Sequence, residues 1–305
     1  MNYVIIDGYG LAYRSYYAFS TLKTTTGISS GCMYGFLIGL RTVKNKFPYC
    51  HIIVAWDKDP KRKKRVFADY KANRNHSVSF FDKDDLKQAL VNINITQAEC
   101  DGEEADDVIA SLVKKYSTDE NQIFIYSSDK DFFQLVQDGR VIIIRPKSEK
   151  YPEKYYDEEM VKNEYGVNSK DFLLFQIFRG DSIDNIPGTK RISSSVLINL
   201  VNKYKTINSV YENLDKESLT KYQRDTLTAF KEQAIINFEL MKLRDDLDLT
   251  IFEGNPNSEQ LDYFLNKYEI KSIRANEYVN IFMDIPSHIK KGPAVKSYSL
   301  FDDGD

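Results

Sequence analysis

The chain of 305 residues has room for one large domain or two ordinary ones, and 42% hydrophobic residues supply the core. A formal charge of −3 excludes a uniformly basic or acidic surface, yet it conceals a local excess: residues 58–76 hold eight Lys or Arg against two Asp. No apolar run approaches 18 residues, the first strand-like run begins at Tyr3, and Cys32, Cys50, Cys100, His51, His76 and His288 show no zinc-ligand spacing. These features lead to the expectation of no membrane span, no signal peptide and no Cys/His metal site, in a soluble protein of a reducing, cytoplasmic compartment.

In chain order, Tyr3-Val4-Ile5-Ile6 predicts a buried strand ending on Asp7. Residues 33–47 predict a helix, apolar at Met33, Phe36, Leu37, Leu40, Val43 and Phe47. Ile52-Ile53-Val54-Ala55-Trp56 predicts a second strand, ending on Asp57. The basic stretch and a helix over residues 82–93 then make a crossover, 58–95, far longer than adjacent strands need, and so a candidate functional insertion. Residues 103–116 predict an amphipathic helix with Glu104, Asp106 and Asp107 in its first turn, where the helix dipole favours negative charge. Strands at 123–127 and 141–145 follow, the first leading to Asp129 and Asp131. Past Pro146 the alternation stops, and from Asp157 the pattern is helical, with Asp184-Asn185-Ile186-Pro187-Gly188 as its sharpest break. The expected architecture is α/β: a Rossmann-like, parallel-sheet domain over 1–156, an α-helical domain over 157–289 and a flexible tail over 290–305.

Nine carboxylates stand at places where such a fold gathers side chains. Ligands of open α/β sheets sit outside the carboxyl ends of the strands. Asp7, Asp57, Glu104, Asp106, Asp107, Asp129 and Asp131 should therefore converge, joined by Asp181 and Asp184 beyond Gly180. So many acids in proximity cannot all stay ionised without cations between them. An oxygen-only donor set favours Mg²⁺ or Mn²⁺ over zinc. Glu104 and Asp107, three residues apart, share a helical face, which Asp106 joins only if the first turn tilts. Strand alternation puts Asp129 and Asp131 on one side. Each motif also has a plainer reading: a solvated acidic turn, a β-turn Asp pair, an ordinary helix–helix turn and, for the basic stretch, a surface helix. Gly8-Tyr9-Gly10 does not complete a dinucleotide fingerprint, because Tyr13 stands where the third Gly is needed and Asp7 where pyrophosphate would sit. The turn 185–188 offers backbone N–H groups suited to a phosphate.

Several runs together resemble the bacterial and phage 5′ nucleases, the family of the flap endonucleases and of the 5′-to-3′ exonuclease domain of DNA polymerase I. They are Ile6-Asp7-Gly8 with Leu11-Ala12-Tyr13-Arg14-Ser15-Tyr16-Tyr17-Ala18-Phe19, Tyr34-Gly35-Phe36, and Asp69-Tyr70-Lys71-Ala72-Asn73-Arg74. Gly102-Glu103-Glu104-Ala105-Asp106-Asp107-Val108-Ile109-Ala110, Ser128-Asp129-Lys130-Asp131-Phe132-Phe133-Gln134-Leu135-Val136 and Gly180-Asp181-Ser182-Ile183-Asp184-Asn185-Ile186-Pro187-Gly188 continue the likeness, and Leu243-Arg244-Asp245-Asp246-Leu247-Asp248-Leu249 resembles a late Arg-Asp-Leu element. The resemblance implies a PIN-like nuclease domain followed by a helix-hairpin-helix domain. It implies a structure-specific 5′ nuclease, a 5′-to-3′ exonuclease and flap endonuclease with RNase H-like primer removal, acting on DNA with a 5′ flap, a nick or an RNA/DNA hybrid.

It further implies two Mg²⁺ ions, replaceable by Mn²⁺. Asp7, Asp57, Glu104 and Asp106 would hold the first, and Asp106, Asp129, Asp131 and Asp181 the second, with Asp107 and Asp184 in support. Lys71, Asp106 and Asp107 would serve the chemistry, Lys71 by reaching the scissile phosphate from a basic arch over 58–95. Tyr70 would stack on a base, Arg74, Lys61 and Lys63 would guide the strand, and Gly188, Lys190 and Arg191 would hold duplex at the hairpin. One departure stands out: Thr189-Lys190-Arg191-Ile192-Ser193-Ser194-Ser195 replaces the family's Gly-Ile-Gly continuation, removing glycines that permit close phosphate approach. The resemblance further implies a free-standing member of the phage type, a monomer in a bacterial cell or a phage-infected host. Ser297-Tyr298-Ser299-Leu300-Phe301 resembles, at its last three residues, the pentamer that bacterial replication proteins dock on their sliding clamp. Two rivals stand beside this reading. A Mg²⁺ phosphatase of the haloacid-dehalogenase kind would share the Gly180-Asp181…Asp184-Asn185 acids but needs Asp-x-Asp on the first strand, where Asp7 is followed by Gly8-Tyr9. A non-catalytic DNA-binding replication factor would not need all nine carboxylates.

Overall fold

A computed structural model describes residues 1–73 and 81–283. Arg74 and the Ser297–Phe301 segment lie outside the described residues. Strands β1 (Asn2–Asp7), β2 (Cys50–Trp56), β3 (Thr96–Glu99), β4 (Ile123–Tyr126), β5 (Val141–Arg145), β6 (Lys154–Tyr156) and β7 (Thr250–Phe252) form one sheet in the order β6-β5-β4-β1-β2-β3-β7. The five inner strands run parallel and the two edge strands antiparallel. Strand order reverses about β1, so a crevice opens at the carboxyl ends of β1, β2 and β4.

Both faces of the sheet are covered, which is why its inner strands read as unbroken apolar runs. Ile5, Ile53, Ile125 and Ile143 pack with Val108, Ile109 and Leu112. On the other face Val4, Ile6, Val54 and Phe124 pack with Phe36, Leu37 and Leu40. The first group of partners lies on a helix Ala105–Tyr116 and the second on a helix Gly31–Lys46. The predicted strands and these helices match the structure within about two residues at each end. β3 is Thr-Gln-Ala-Glu, buried throughout yet without an apolar signature, and was not anticipated.

After β6 the chain is helical, as expected, and the helix Ser169–Arg179 leads through a tight loop to the helix Ser194–Tyr204. The loop is closed by two glycines: Gly180 at φ 73° and Gly188, where an added Cβ would lie 1.9 Å from the Arg179 carbonyl oxygen. The missing side chain of Gly188 thus serves the closure of the hairpin itself. From Thr250 the helical unit expected over 157–289 gives way to a return: β7 pairs with β3, the helix Ser258–Lys267 lies on the helix Lys83–Asn92, and the helix Ala275–Met283 lies on Gly31–Lys46. Leu261, Phe264, Tyr278 and Phe282 join the core of the sheet domain in this way. Among the described residues no helix is long and apolar enough to cross a membrane.

Candidate active site

The crevice collects acids from every strand that borders it. Asp7 ends β1 and caps the helix that follows, its Oδ1 accepting the Gly10 N–H at 2.8 Å. Asp57, just past β2, accepts the Ala105 N–H at 2.6 Å, which ties β2 to the start of the helix Ala105–Tyr116. Glu104 sits at the N-cap of that helix and Asp106 in its first turn. Asp129 caps a 3-10 turn, Lys130–Leu135, and its Oδ1 accepts the Asp131 N–H at 2.8 Å. These two acids are therefore brought together by a cap, not by strand alternation. Asp181 closes a turn rather than continuing a helix: it exchanges backbone hydrogen bonds with Ile186, and its carboxylate accepts the Ile183 N–H at 2.8 Å. Asp7, Asp129, Asp131, Asp181 and Asp184 line one cavity.

Burial and like charge dominate the electrostatics. Burial pushes Asp7 up to about 6 against the Gly10 hydrogen bond, with Asp57 adding to the rise. Asp57 is raised by burial and by Glu104. Burial and then the neighbouring Asp129 hold Asp106 well above the carboxylate range. Asp129 is pushed to about 7 by burial and Asp131, and Asp131 to about 6 by burial and Asp106, against a hydrogen bond from Gln176. Glu104 goes the other way: Lys63 and Lys71 outweigh burial and bring it to about 2.

The insertion after β2 supplies those lysines. Glu104 accepts from Lys71 Nζ at 2.6 Å, Lys63 Nζ at 2.8 Å and the Tyr70 hydroxyl at 3.0 Å. Lys71 Nζ also stands 3.8 Å from Asp184, and Lys130 pairs with Asp181 at 2.9 Å. Two sequence expectations change here. Lys63 and Tyr70, read as strand-guiding and base-stacking groups, are buried at 6% and 3% exposure against Glu104. Lys61 is exposed, as are Lys190 and Arg191 on the hairpin. The Lys71 backbone is fastened to the hairpin loop: its N–H donates to the Asp184 carbonyl at 2.9 Å, Asn73 Nδ2 to Ser182 O at 3.0 Å, and Asn185 Nδ2 to Asp69 O at 2.8 Å. Lys71 and Asn185 both take left-handed backbone, at φ 55° and 59°.

Asp107 does not join the crevice. It is fully buried, paired with Arg62 Nη2 at 2.8 Å and accepting the Arg244 N–H at 2.8 Å, while the same two arginines hold Glu103 at 3.0 and 2.7 Å. The three-residue spacing does bring Glu104 and Asp107 to one pocket, lined also by Lys63, Tyr70 and Lys71, but the Asp107 oxygens there are taken by Arg62 and the Arg244 N–H. Sequence reasoning missed Gln176, wholly buried, whose Nε2 donates to Asp131 at 2.5 Å. A single amide inside Phe172-Leu173-Leu174-Phe175-Gln176-Ile177-Phe178 was the available signal, since a buried amide needs a partner.

The donor set suits a hard cation: oxygen ligands only, crowded and buried enough to resist ionisation. As the side chains stand, no group of three or more Asp, Glu, His or Cys is in metal-holding geometry among the described residues. The oxygens are turned instead toward Lys63, Lys71, Lys130, Gln176 and backbone N–H groups, as the bonds above describe.

An acidic crevice at the carboxyl edge of a parallel sheet, flanked by a lysine-bearing insertion and followed by a helical hairpin, defines an α/β nuclease with a helical second part. The 5′-3′ exonuclease N-terminal resolvase-like domain matches residues 2–166, and the 5′-3′ exonuclease C-terminal SAM fold matches residues 167–262. The 5′-3′ exonuclease of Aquifex aeolicus is 31% identical over 277 residues, 88% of this chain and 92% of that protein. DNA polymerase I of Caldicellulosiruptor bescii is 32% identical over 283 residues, 90% of this chain and 33% of that protein. Among solved structures, the 5′-exonuclease of bacteriophage T5 with bound zinc superposes with a TM-score of 0.64 at 17% identity, over 93% of this chain and 99% of that one. The chain belongs to the 5′-3′ exonuclease family. It is a nuclease, a hydrolase of phosphodiester bonds, and the phosphatase and non-catalytic readings are set aside.

Proposed function

We propose that the crevice binds two Mg²⁺ ions, which Mn²⁺ can replace, and cuts DNA bearing 5′ flaps, nicks or RNA/DNA hybrid ends. The observation that carries this reading is the row of Asp7, Asp57, Asp106, Asp129 and Asp131, five partly buried acids gathered at the carboxyl ends of the strands, each pushed toward neutrality by loss of solvation and by a neighbouring carboxylate. Glu104 and Asp181 complete the ligand set once their lysines leave, and Asp184 supports it. Bound there, the ions would lower the pKa of the attacking water and stabilise the attacking and leaving oxygens. The residues of the chain do the rest. Lys71 swings from Glu104 to the scissile phosphate while its backbone stays fastened to the hairpin. Lys61, Lys190 and Arg191, exposed, meet the phosphate backbone as point charges. Asp107, its oxygens committed to Arg62 and Arg244, keeps the base of the insertion in place.

A single gel tests the reading. Flap, nicked and hybrid substrates should each be cut with Mg²⁺ and left intact with EDTA. Cutting that persists in chelator, or that ignores the 5′ structure, would refute it. The clamp-docking role of Ser297–Phe301 is a separate proposal, supported by Leu300 and Phe301 beside the acidic end of the chain. A labelled 290–305 peptide should bind a bacterial clamp and lose binding with Leu300→Ala plus Phe301→Ala. Equal titrations of the two peptides would end the idea.

A further inference from the structure

Arg145 ends β5 and lines the acid cavity together with Asp129, Asp131 and Asp181, yet it makes no hydrogen bond to any of them. Its Nε is buried without a hydrogen-bond partner among the described residues. Its ion pair with Glu164 is long, 3.9 Å, and Glu164 is already engaged by Lys154 and by the Tyr156 hydroxyl at 3.0 Å. The guanidinium is held by rings instead, 5.1 Å from the Tyr156 centroid and 5.6 Å from that of Tyr151. Stacking fixes the plane of a guanidinium but satisfies none of its N–H donors. Lys130, another cation bordering the cavity, is spent on Asp181. The Arg145 side chain is 27% exposed at the edge of the substrate crevice, and its guanidinium, with a long ion pair and an unpartnered Nε, has donors to offer a phosphate.

Sheet order says which phosphate. Along the carboxyl edge the sequence is Arg145 on β5, Asp129 after β4, Asp7 on β1 and Asp57 after β2, with Lys71 in the insertion beyond β2. Arg145 and Lys71 therefore flank the row of acids from opposite sides. We propose that Arg145 is a phosphate-binding residue of the crevice, holding a phosphodiester of the bound strand next to the one that is cut, on the side away from Lys71. This rests on the nuclease site described above.

The test is a methylphosphonate scan of a 5′-flap DNA, in which each substitution removes one phosphate charge, bound with Ca²⁺ in place of Mg²⁺. Wild type should lose about tenfold in affinity at a flanking position where Arg145→Gln loses nothing further, and Arg145→Gln should lower the slope of log K against log salt by about 0.7–0.9. Arg145→Lys should keep that slope while binding more weakly, because it retains the charge and loses the fork. If Arg145→Gln does not fold, Arg145→Lys carries the test: a loss confined to one methylphosphonate position supports the assignment, and a uniform loss overturns it. For Arg145→Gln, an unchanged salt slope, or a sensitivity equal to wild type at every position, also overturns it. If no position matters even in wild type, the nuclease reading of the crevice fails, and this inference falls with it.

Discussion

Asp129→Asn is expected to abolish cleavage and at the same time to raise the melting temperature of the metal-free protein. The loss of activity follows from geometry: Asp129 stands between Asp131, whose N–H it accepts, and the charges of Asp7 and Asp106. An amide keeps the size of the side chain and removes the charge that a cation needs. Retention of more than about a tenth of wild-type kcat, a barrier change below ~1.4 kcal/mol, would remove Asp129 from the metal site. The gain in stability follows from electrostatics. The folded carboxyl sits near 7 because burial and Asp131 oppose its ionisation, whereas the unfolded value is about 3.9. The native state thus holds a proton that the unfolded state has released, and stability falls as pH rises from about 4 through about 7. Removing the group removes that loss. In EDTA at pH 8 the variant should melt higher by roughly 2 °C or more, the shift that about 1 kcal/mol gives in a chain of this size. Below pH 4 the advantage should vanish, and with Mg²⁺ the order should reverse. A variant that melts no higher than wild type in chelator at pH 8 would show that the acids are not in conflict.

That conflict between stability and function also explains which features could be read from the sequence. Asp7, Asp57 and Asp129 were legible because each follows a strand buried on both faces, where an apolar run ends abruptly in a carboxylate. Helical spacing puts Glu104 and Asp107 on one pocket, but it gives no sign that Arg62 and the Arg244 backbone, distant in the chain, take the Asp107 oxygens. The interior lysine contacts were illegible for a different reason. A run such as Lys61-Arg62-Lys63-Lys64-Arg65 has no apolar pattern, so nothing local says that Lys63 turns inward to Glu104 while Lys61 stays in water. The partner lies 41 residues away, and only the folded sheet brings it near. β7 was missed likewise: Thr-Ile-Phe is too short to announce a strand, and its place is set by the exposed edge of β3.

Lys71→Ala is expected to slow single-turnover cleavage by about 100-fold or more, the usual effect of deleting one group that stabilises developing charge, with little change in DNA affinity. Lys71 Nζ lies 2.6 Å from Glu104 and 3.8 Å from Asp184, close enough to either acid to pass from them to a phosphate entering the crevice. The attractions of Glu104, Asp106 and Asp184 outweigh burial and keep its pKa raised, so the ammonium stays charged at neutral pH. Truncation should leave the backbone in place, because the bonds to Ser182, Asp184 and Asn185 do not involve the ammonium. Lys63 remains to hold Glu104, so the fold survives. The contrast is Lys61→Ala with Lys64→Ala, two exposed charges on the same segment. That pair should weaken binding and lower the salt slope by roughly 0.7–0.9 per lost contact, while leaving the rate at saturating enzyme unchanged. Rapid-quench cleavage at saturating enzyme, beside binding titrations at several salt concentrations, separates the two effects. Equal losses of rate in both variants would deny Lys71 a role in the chemical step, and a loss of affinity alone would place it among the strand-guiding charges.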